Sequence, residues 1–293
     1  MRRRELFPAD RGLQARMVLA AVLTPALVVA ALVACGLLLP LNILGGVALA
    51  AALGIAATVR ERRRVAVTRV LGPGEEPELQ AAVQRLCLMA DLPRPDLAVD
   101  DESQPNSWVV DAPGRKPRLH VTRGLVELLD PSELEAVVAH ELSHVAHRDA
   151  TVMTVVGLPG AVLAEGARGR GWAGWWPLQL GVVVASLIGR AGNVGTSLLS
   201  RHRELVADAG AATLTGHPSA LASALLKVSG EQRRIPDEDL RGVAGRDAFH
   251  LLPTGTAERR GRFGGLTATH PTLDQRLAAL EQLEARLQRA RHA

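Results

Sequence analysis

Tyrosine is absent from this chain of 293 residues, and all aromatic residues together make up only 2% of it. A large core must therefore be built from aliphatic side chains and alanine, in keeping with a hydrophobic share of 47%. The only cysteines are Cys35 and Cys87, which excludes a disulfide framework and a C-x-x-C motif. Cys35 falls in an apolar run and Cys87 on a predicted helix, so both are predicted to be packing residues.

Lysine is also scarce, since Lys116 and Lys227 are the only two, and arginine carries almost all of the positive charge. The formal net charge of +4 makes the chain basic, which can indicate a nucleic-acid partner. Here, however, the arginines cluster beside long apolar runs. This placement favours a membrane surface, and we expect no nucleic-acid partner.

Charged residues are missing from positions 17–59 altogether, while arginines cluster before and after this run. Residues 17–39 are long enough to span a bilayer and residues 43–59 reach the lower limit, with Pro40 between them. The run is too long for the apolar region of a signal peptide. The positive-inside rule predicts a transmembrane hairpin with both ends, including the Arg-rich residues 1–16, in the cytoplasm. The alternative is a buried hairpin of a soluble protein.

A second hydrophobic region occupies residues 151–192, with apolar runs at Val152–Ala164 and Trp172–Gly189. Trp175 and Trp176 lie at one end of the second run, as aromatic residues do at a membrane interface. The first run is short for a span, and two arginines between the runs oppose the charge rule. The pair either crosses the membrane or forms a hydrophobic hairpin that covers the active-site cleft or enters one leaflet.

Residues 60–150 form the first part of a predicted soluble domain. Pro77–Ala90 has apolar residues at helical spacing, and short β-prone pieces follow at Leu97–Val99, Ser107–Val110 and Leu119–Thr122. We predict that Arg118–Thr122 is either a sheet edge, on which an extended peptide could add as a further strand, or an ordinary sheet strand.

A helix is predicted after Asp130, which is a suitable N-cap, with Pro131 at the first position and Glu133 placed for a capping box. This helix carries H-E-x-x-H, with His140 and His144 one turn apart on one face. Two such imidazoles can bind Zn²⁺.

Glu141 lies about 100° round the helix from His140, away from the metal but within reach of a water molecule on it. This position suits a general base. The motif could also arise by chance on a capped core helix whose histidines are surface groups.

A catalytic zinc site needs a third protein ligand. Residues 193–293 form the second part of the domain, where Glu204 and Asp208 lie one turn apart on one predicted helix face. Glu204 is the best candidate ligand, and Asp208 could accept the free N–H of His140 or His144. His202 lies on the opposite side of that helix from Glu204, so the two cannot both face the metal. The alternative is a solvated, arginine-paired face.

Three sequence blocks, His140–Asp149, Ser200–Asp208 and Thr269–Pro271, together resemble the HtpX-type membrane zinc metalloproteases. The resemblance implies an α+β, mostly helical fold: a minimal gluzincin zinc-metalloprotease core with an N-terminal transmembrane helical hairpin and a second hydrophobic hairpin. It also implies an ATP-independent endopeptidase of the bacterial plasma membrane that acts on damaged or misfolded membrane proteins. One departure is Asn106-Ser107-Trp108, where relatives usually follow the asparagine with Ala-Phe.

By position, the resemblance makes His140, His144 and Glu204 the ligands of one zinc ion and Glu141 the catalytic residue. It places His270 as a candidate donor near the scissile carbonyl, where it would stabilise the developing oxyanion. His270 could equally be a helix-start residue held by Pro271.

Asp149 either closes the motif helix or accepts a hydrogen bond from a ligand. His147 is one turn beyond His144, but the ligand set is already complete without it.

Two other functions fit part of this pattern. One is a non-catalytic membrane adaptor with a zinc-stabilised domain, although structural zinc sites usually have four ligands, typically cysteines. The other is a CAAX-type prenyl-protein peptidase, whose eukaryotic forms are longer and have more spans. We therefore expect a zinc endopeptidase with protein or peptide substrates, embedded in a lipid bilayer.

Overall fold

The structure is a computed structural model that describes residues 11–67, 69–110, 116–149, 162–163, 176–232, 251 and 270–291. The chain divides into two compact units, Met1–Leu13 with Arg69–Thr151 and Ser200–Ala293, and Gln14–Thr68 with Val152–Leu199. In chain order the helices and strands are α1 (Arg11–Leu38), α2 (Leu41–Val67), α3 (Pro77–Ala90), β1 (Asp96–Asp100), β2 (Ser107–Val110), β3 (Arg118–Thr122), α4 (Arg123–Leu128), α5 (Pro131–His147), α6 (Trp176–Thr215), α7 (Pro218–Gln232) and α8 (Leu273–Arg291).

The second unit holds apolar helices. Three stretches among the described residues are long and apolar enough to cross a membrane: Met17–Leu38 and Leu41–Arg60 in the second unit, and Gln179–Thr215, whose residues from Ser200 onward belong to the first unit. Their large apolar side chains are largely exposed, with Leu37 at 81% and Leu41 at 85%, as expected of a lipid-facing surface. The predicted hairpin of two apolar helices divided at Pro40 is confirmed.

Small residues let the helices of this unit approach closely. A Cβ added at Gly181 would lie 2.1 Å from the carbonyl oxygen of Ile43, so only glycine fits there. A small buried cluster lies between the helices and contains Val28, Val47, Ala50, Val182 and Ala185. The helices therefore pack on one another while keeping an apolar exterior.

The region predicted as a second hairpin is described only in part. Val152–Ala164 lies outside the described residues except for positions 162 and 163. The later run and the Glu204 segment, which we predicted as separate pieces with a boundary at residue 192, belong to the single helix α6 of 40 residues. No proline intervenes between residues 189 and 200, so the helical hydrogen bonds continue through them.

The first unit contains a three-stranded sheet in the order β1-β3-β2, in which β3 pairs parallel with β1 and antiparallel with β2. The three predicted strands are thus present. The prediction that Arg118–Thr122 could be an edge strand is wrong, because β3 is central. In a simple meander β2 would lie between β1 and β3. Here β1 pairs with β3 instead, so among the described residues β1 and β2 are the outer strands.

Helix α5 lies at the centre of this unit and packs against α3, α7 and β2. It begins at the predicted capping box, in which Asp130 accepts from the backbone of Glu133 and Glu133 accepts from the backbone of Asp130. Its apolar face is buried through Leu134, Val137, Val138 and Leu142. The helix ends at His147, where Arg148 adopts a left-handed conformation with φ of 56°. Burial of this face fixes where the H-E-x-x-H residues point.

Candidate metal centre

Three predicted ligands meet at one point of the first unit. The Nε2 atoms of His140 and His144 are 3.1 Å apart. The Glu204 carboxylate oxygens lie 3.5 Å from His140 Nε2 and 3.4 Å from His144 Nε2. His140 and Glu204 are buried, and one ligand atom from each residue falls within 4.8 Å of the others. Helices α5 and α6 thus bring together two imidazoles and a carboxylate from distant parts of the chain.

The chemistry of this donor set fits a divalent cation. The Nδ1 atoms of His140 and His144 lie 2.9 Å from Asp208 and 2.7 Å from Asp149, respectively. Protons on Nδ1 leave lone pairs on both Nε2 atoms, which then face each other and a carboxylate. The buried Oε2 of Glu204 accepts no hydrogen bond from any residue in the described ranges. A cation among these atoms would satisfy all of them.

Each imidazole is backed by a carboxylate that an arginine neutralises. Arg276 donates from Nε and Nη2 to both oxygens of Asp208, at 2.8 Å and 2.6 Å. Arg203 Nε lies 2.8 Å from Asp149 Oδ1. The sequence suggested the two aspartates but not the arginines. The available signals were weak: Arg203 directly precedes Glu204, and Arg276 opens the second turn of an ordinary amphipathic helix.

The charges around the centre favour positive charge among the ligands. Burial alone would lower the pKa of His140, but the Asp208 and Glu204 carboxylates outweigh it and raise the pKa to about 9. The carboxylates of Asp208 and Glu204 thus favour a positive charge at this point of the structure.

Glu141 is buried next to the ligands but outside the metal-ligand cluster. Its Oε1 accepts a hydrogen bond of 2.7 Å from the hydroxyl of Ser107. Burial raises the pKa of Glu141, and His140 and His144 oppose that rise. The sequence pointed to Ser107 only through Asn106-Ser107-Trp108, where relatives usually have Ala-Phe after the asparagine.

The remaining histidines differ in their relation to the cluster. Nε2 of the buried His270 lies 4.0 Å from Glu204 Oε2, so the structure places this residue beside the centre. His147 Nδ1 instead contacts the backbone carbonyl of Ser143 at 2.8 Å. Among the described residues, the metal-ligand cluster includes neither His147 nor His202.

A backbone contact also links the edge strand to the centre. Leu251, in a region that we expected to be a polar loop, is buried at 1% exposure and donates from its amide to the Ser107 carbonyl at 3.1 Å. Its own carbonyl accepts from Arg276 Nη1 at 2.6 Å. This residue was not predicted, because a single buried leucine in a polar stretch has no periodicity.

Comparison with known proteins decides the family. Residues 73–284 match the family model described as Peptidase family M48. The chain belongs to this family. It is 42% identical over 240 residues to Protease HtpX homolog 1 of Streptomyces coelicolor, covering 75% of each chain. It is 39% identical over 237 residues to the Protease HtpX homolog of Moorella thermoacetica, covering 75% of this chain and 77% of the relative.

One solved structure also matches part of this chain. The crystal structure of S. mikatae Ste24p matches with a TM-score of 0.49 and 20% identity, and covers 73% of this chain. This chain spans about half of that protein, 52% of its length. The M48 match includes H-E-x-x-H, Glu204 and His270, so the protein is an HtpX-like metalloendopeptidase, as the resemblance implied.

Proposed function

We propose that this M48 peptidase is a zinc endopeptidase in which His140, His144 and Glu204 bind one zinc ion and Glu141 is the general base. The observation that carries the proposal is the convergence of two imidazole nitrogens, from His140 and His144, with the buried Glu204 carboxylate. Membership of M48 favours an enzyme over a zinc-stabilised adaptor. Relatives named Protease HtpX favour this reading over a prenyl-protein peptidase.

Zinc, when bound, supplies a Lewis acid that polarises the scissile carbonyl and lowers the pKa of water towards about 7. Glu141 takes the proton of the attacking water and passes it to the leaving amine. Asp208 and Asp149 orient the two imidazoles so that Nε2 faces the metal. His270 donates an N–H towards the oxygen on which negative charge develops.

We further propose that the protein acts at the bacterial plasma membrane on misfolded or damaged membrane proteins, with its protease unit in the cytoplasm. The apolar helices and the arginines that flank residues 17–59 support this orientation. In a variant whose native Cys35 and Cys87 are replaced by alanine, a cysteine placed at Arg69 should react with a membrane-impermeant maleimide only after the membrane is opened. Labelling in intact cells would contradict the orientation.

Two variants test the catalytic assignment in the full chain in detergent. We expect Glu141→Gln to retain zinc and to lose casein cleavage by a factor of about 10²–10⁴, because the carboxamide cannot take a proton. We expect Glu204→Ala to lose zinc together with activity. Zinc content and casein digestion, with and without chelator, measure both effects. Full cleavage by Glu141→Gln would refute the assignment of the base.

A further inference from the structure

Ser107 occupies a well-defined place at the edge of the sheet. The Asn106 carbonyl accepts from the Thr122 amide at 3.0 Å, so the backbone groups of residues 106, 108 and 110 face β3. Side chains alternate along β2, and the Trp108 ring stacks on His120 with 4.9 Å between centroids. The Ser107 side chain therefore lies on the opposite face, towards α5.

The hydroxyl of Ser107 reaches the proposed base directly. Its Oγ donates to Glu141 Oε1 at 2.7 Å, and the two residues are 0% and 2% exposed. A hydrogen bond from a hydroxyl to a buried carboxylate is short and strong. Solvent cannot replace it at this depth.

The backbone of Ser107 is held by hydrogen bonds on the side away from β3. Its amide donates to the side-chain oxygen of Asn106 at 2.9 Å, and its carbonyl accepts from the Leu251 amide at 3.1 Å. The neighbouring residues Asn106 and Trp108 lie opposite Thr122 and His120 of β3 and anchor the strand. The hydroxyl is thus presented from a rigid frame, which is what accurate placement of a partner group needs.

We propose that Ser107 is a positioning residue for Glu141 in this chain, and this rests on the function proposed above. By engaging Oε1, the hydroxyl fixes the rotation of the carboxylate and leaves the other oxygen to take and deliver the proton. Removing the hydroxyl removes this constraint on the rotation of the carboxylate. A misplacement of this kind slows the chemical step and leaves substrate binding intact.

Two substitutions at Ser107 test the proposal on the full chain. Ser107→Ala removes the hydroxyl, and Ser107→Cys keeps a side chain of similar size that is only a weak donor. We expect both to lower kcat by about tenfold, with KM within about twofold of the parent. Zinc content should be unchanged in both. The cysteine variant separates the lost hydrogen bond from a packing defect.

A binding measurement provides a readout apart from turnover. A peptidyl hydroxamate binds a zinc ion and donates a hydroxyl to a neighbouring carboxylate, so its affinity should fall in Ser107→Ala. In the Glu141→Gln background the same substitution should have no further effect, because Ser107 acts through Glu141.

An unchanged kcat in both Ser107 variants would overturn the proposal, as would an effect on KM or zinc content alone. Those results would leave the proposed function standing. Activity of Glu141→Gln would instead refute the proposed function itself.

Discussion

The supports of His140 and His144 use the same chemistry but are built differently. His140 Nδ1 lies 2.9 Å from Asp208, to which Arg276 donates two hydrogen bonds. The exposed fractions of these three side chains are 1%, 1% and 0%. The support joins α5, α6 and α8, and Asp208 and Arg276 are 68 residues apart. The support of His140 is therefore part of the protein interior.

The support of His144 is shorter in sequence and less enclosed. Asp149 follows His144 by five residues and reaches its Nδ1 at 2.7 Å. Arg203 Nε lies 2.8 Å from Asp149 Oδ1, and 13% of the His144 side chain is exposed. Burial would raise the pKa of Asp149, but Arg203 and His144 lower it to about 2. The carboxylate is thus ionised by close partners.

The difference indicates that one support also holds the fold together, whereas the other mainly orients an imidazole. Arg276 neutralises Asp208, lies 3.7 Å from Glu204 and donates to the carbonyl of Leu251. Losing it would leave the buried Asp208 carboxylate without a neutralising arginine. Within the described part of the chain, Arg203 and Asp149 show no comparable link to a third segment.

The sharpest test compares the two arginines. Arg276→Met should lower the free energy of unfolding by about 3–5 kcal/mol, because it strands the Asp208 carboxylate in the interior. Arg203→Met should lower it by about 1–3 kcal/mol, because the neighbouring His144 is partly exposed and the surroundings are less enclosed. Chemical unfolding of the full chain in detergent measures both.

The exposed Arg289 on α8 provides a matched control, since Arg289→Met should leave unfolding unchanged. A further variant, Arg276→Met with Asp208→Leu, should recover part of the lost stability, because the unpaired charge is removed as well. Equal losses of unfolding free energy for Arg276→Met and Arg203→Met would show that the two supports contribute equally to the fold.

Features that depend on a few neighbouring residues could be predicted from the sequence. The capping box of Asp130 and Glu133 and the spacing of His140 and His144 follow from one helical period. The mostly helical class and the apolar hairpin follow from long, unmistakable patterns. Such local rules act over one turn or one span, so a single sequence is enough to apply them.

Features that depend on pairing across the chain could not be predicted in the same way. The strand order β1-β3-β2 depends on pairing between distant residues, so the sequence left Arg118–Thr122 open between an edge strand and an ordinary sheet strand, and the structure shows the second. Arg276 reaches the centre from α8 by pairing with Asp208, and Ser107 reaches it from β2, which packs against α5; neither residue carries a local signal of that placement. Glu204 could be proposed only because Asp208 shares its helix face and the family motif contains both.

The two supports should also differ, by a smaller effect, in how much each contributes to zinc affinity. Asp208→Asn and Asp149→Asn each replace a carboxylate by a neutral amide and should weaken zinc binding by about 10–100-fold. We expect Asp208→Asn to lie at the upper end, because the amide nitrogen would also face the buried Arg276. Asp149→Asn should lie at the lower end, because His144 is partly exposed and water can accept the hydrogen bond from its Nδ1–H. Competition with a chelating dye gives both affinities, and a larger loss for Asp149→Asn would mean that proximity in sequence, rather than burial, decides how firmly an imidazole is held.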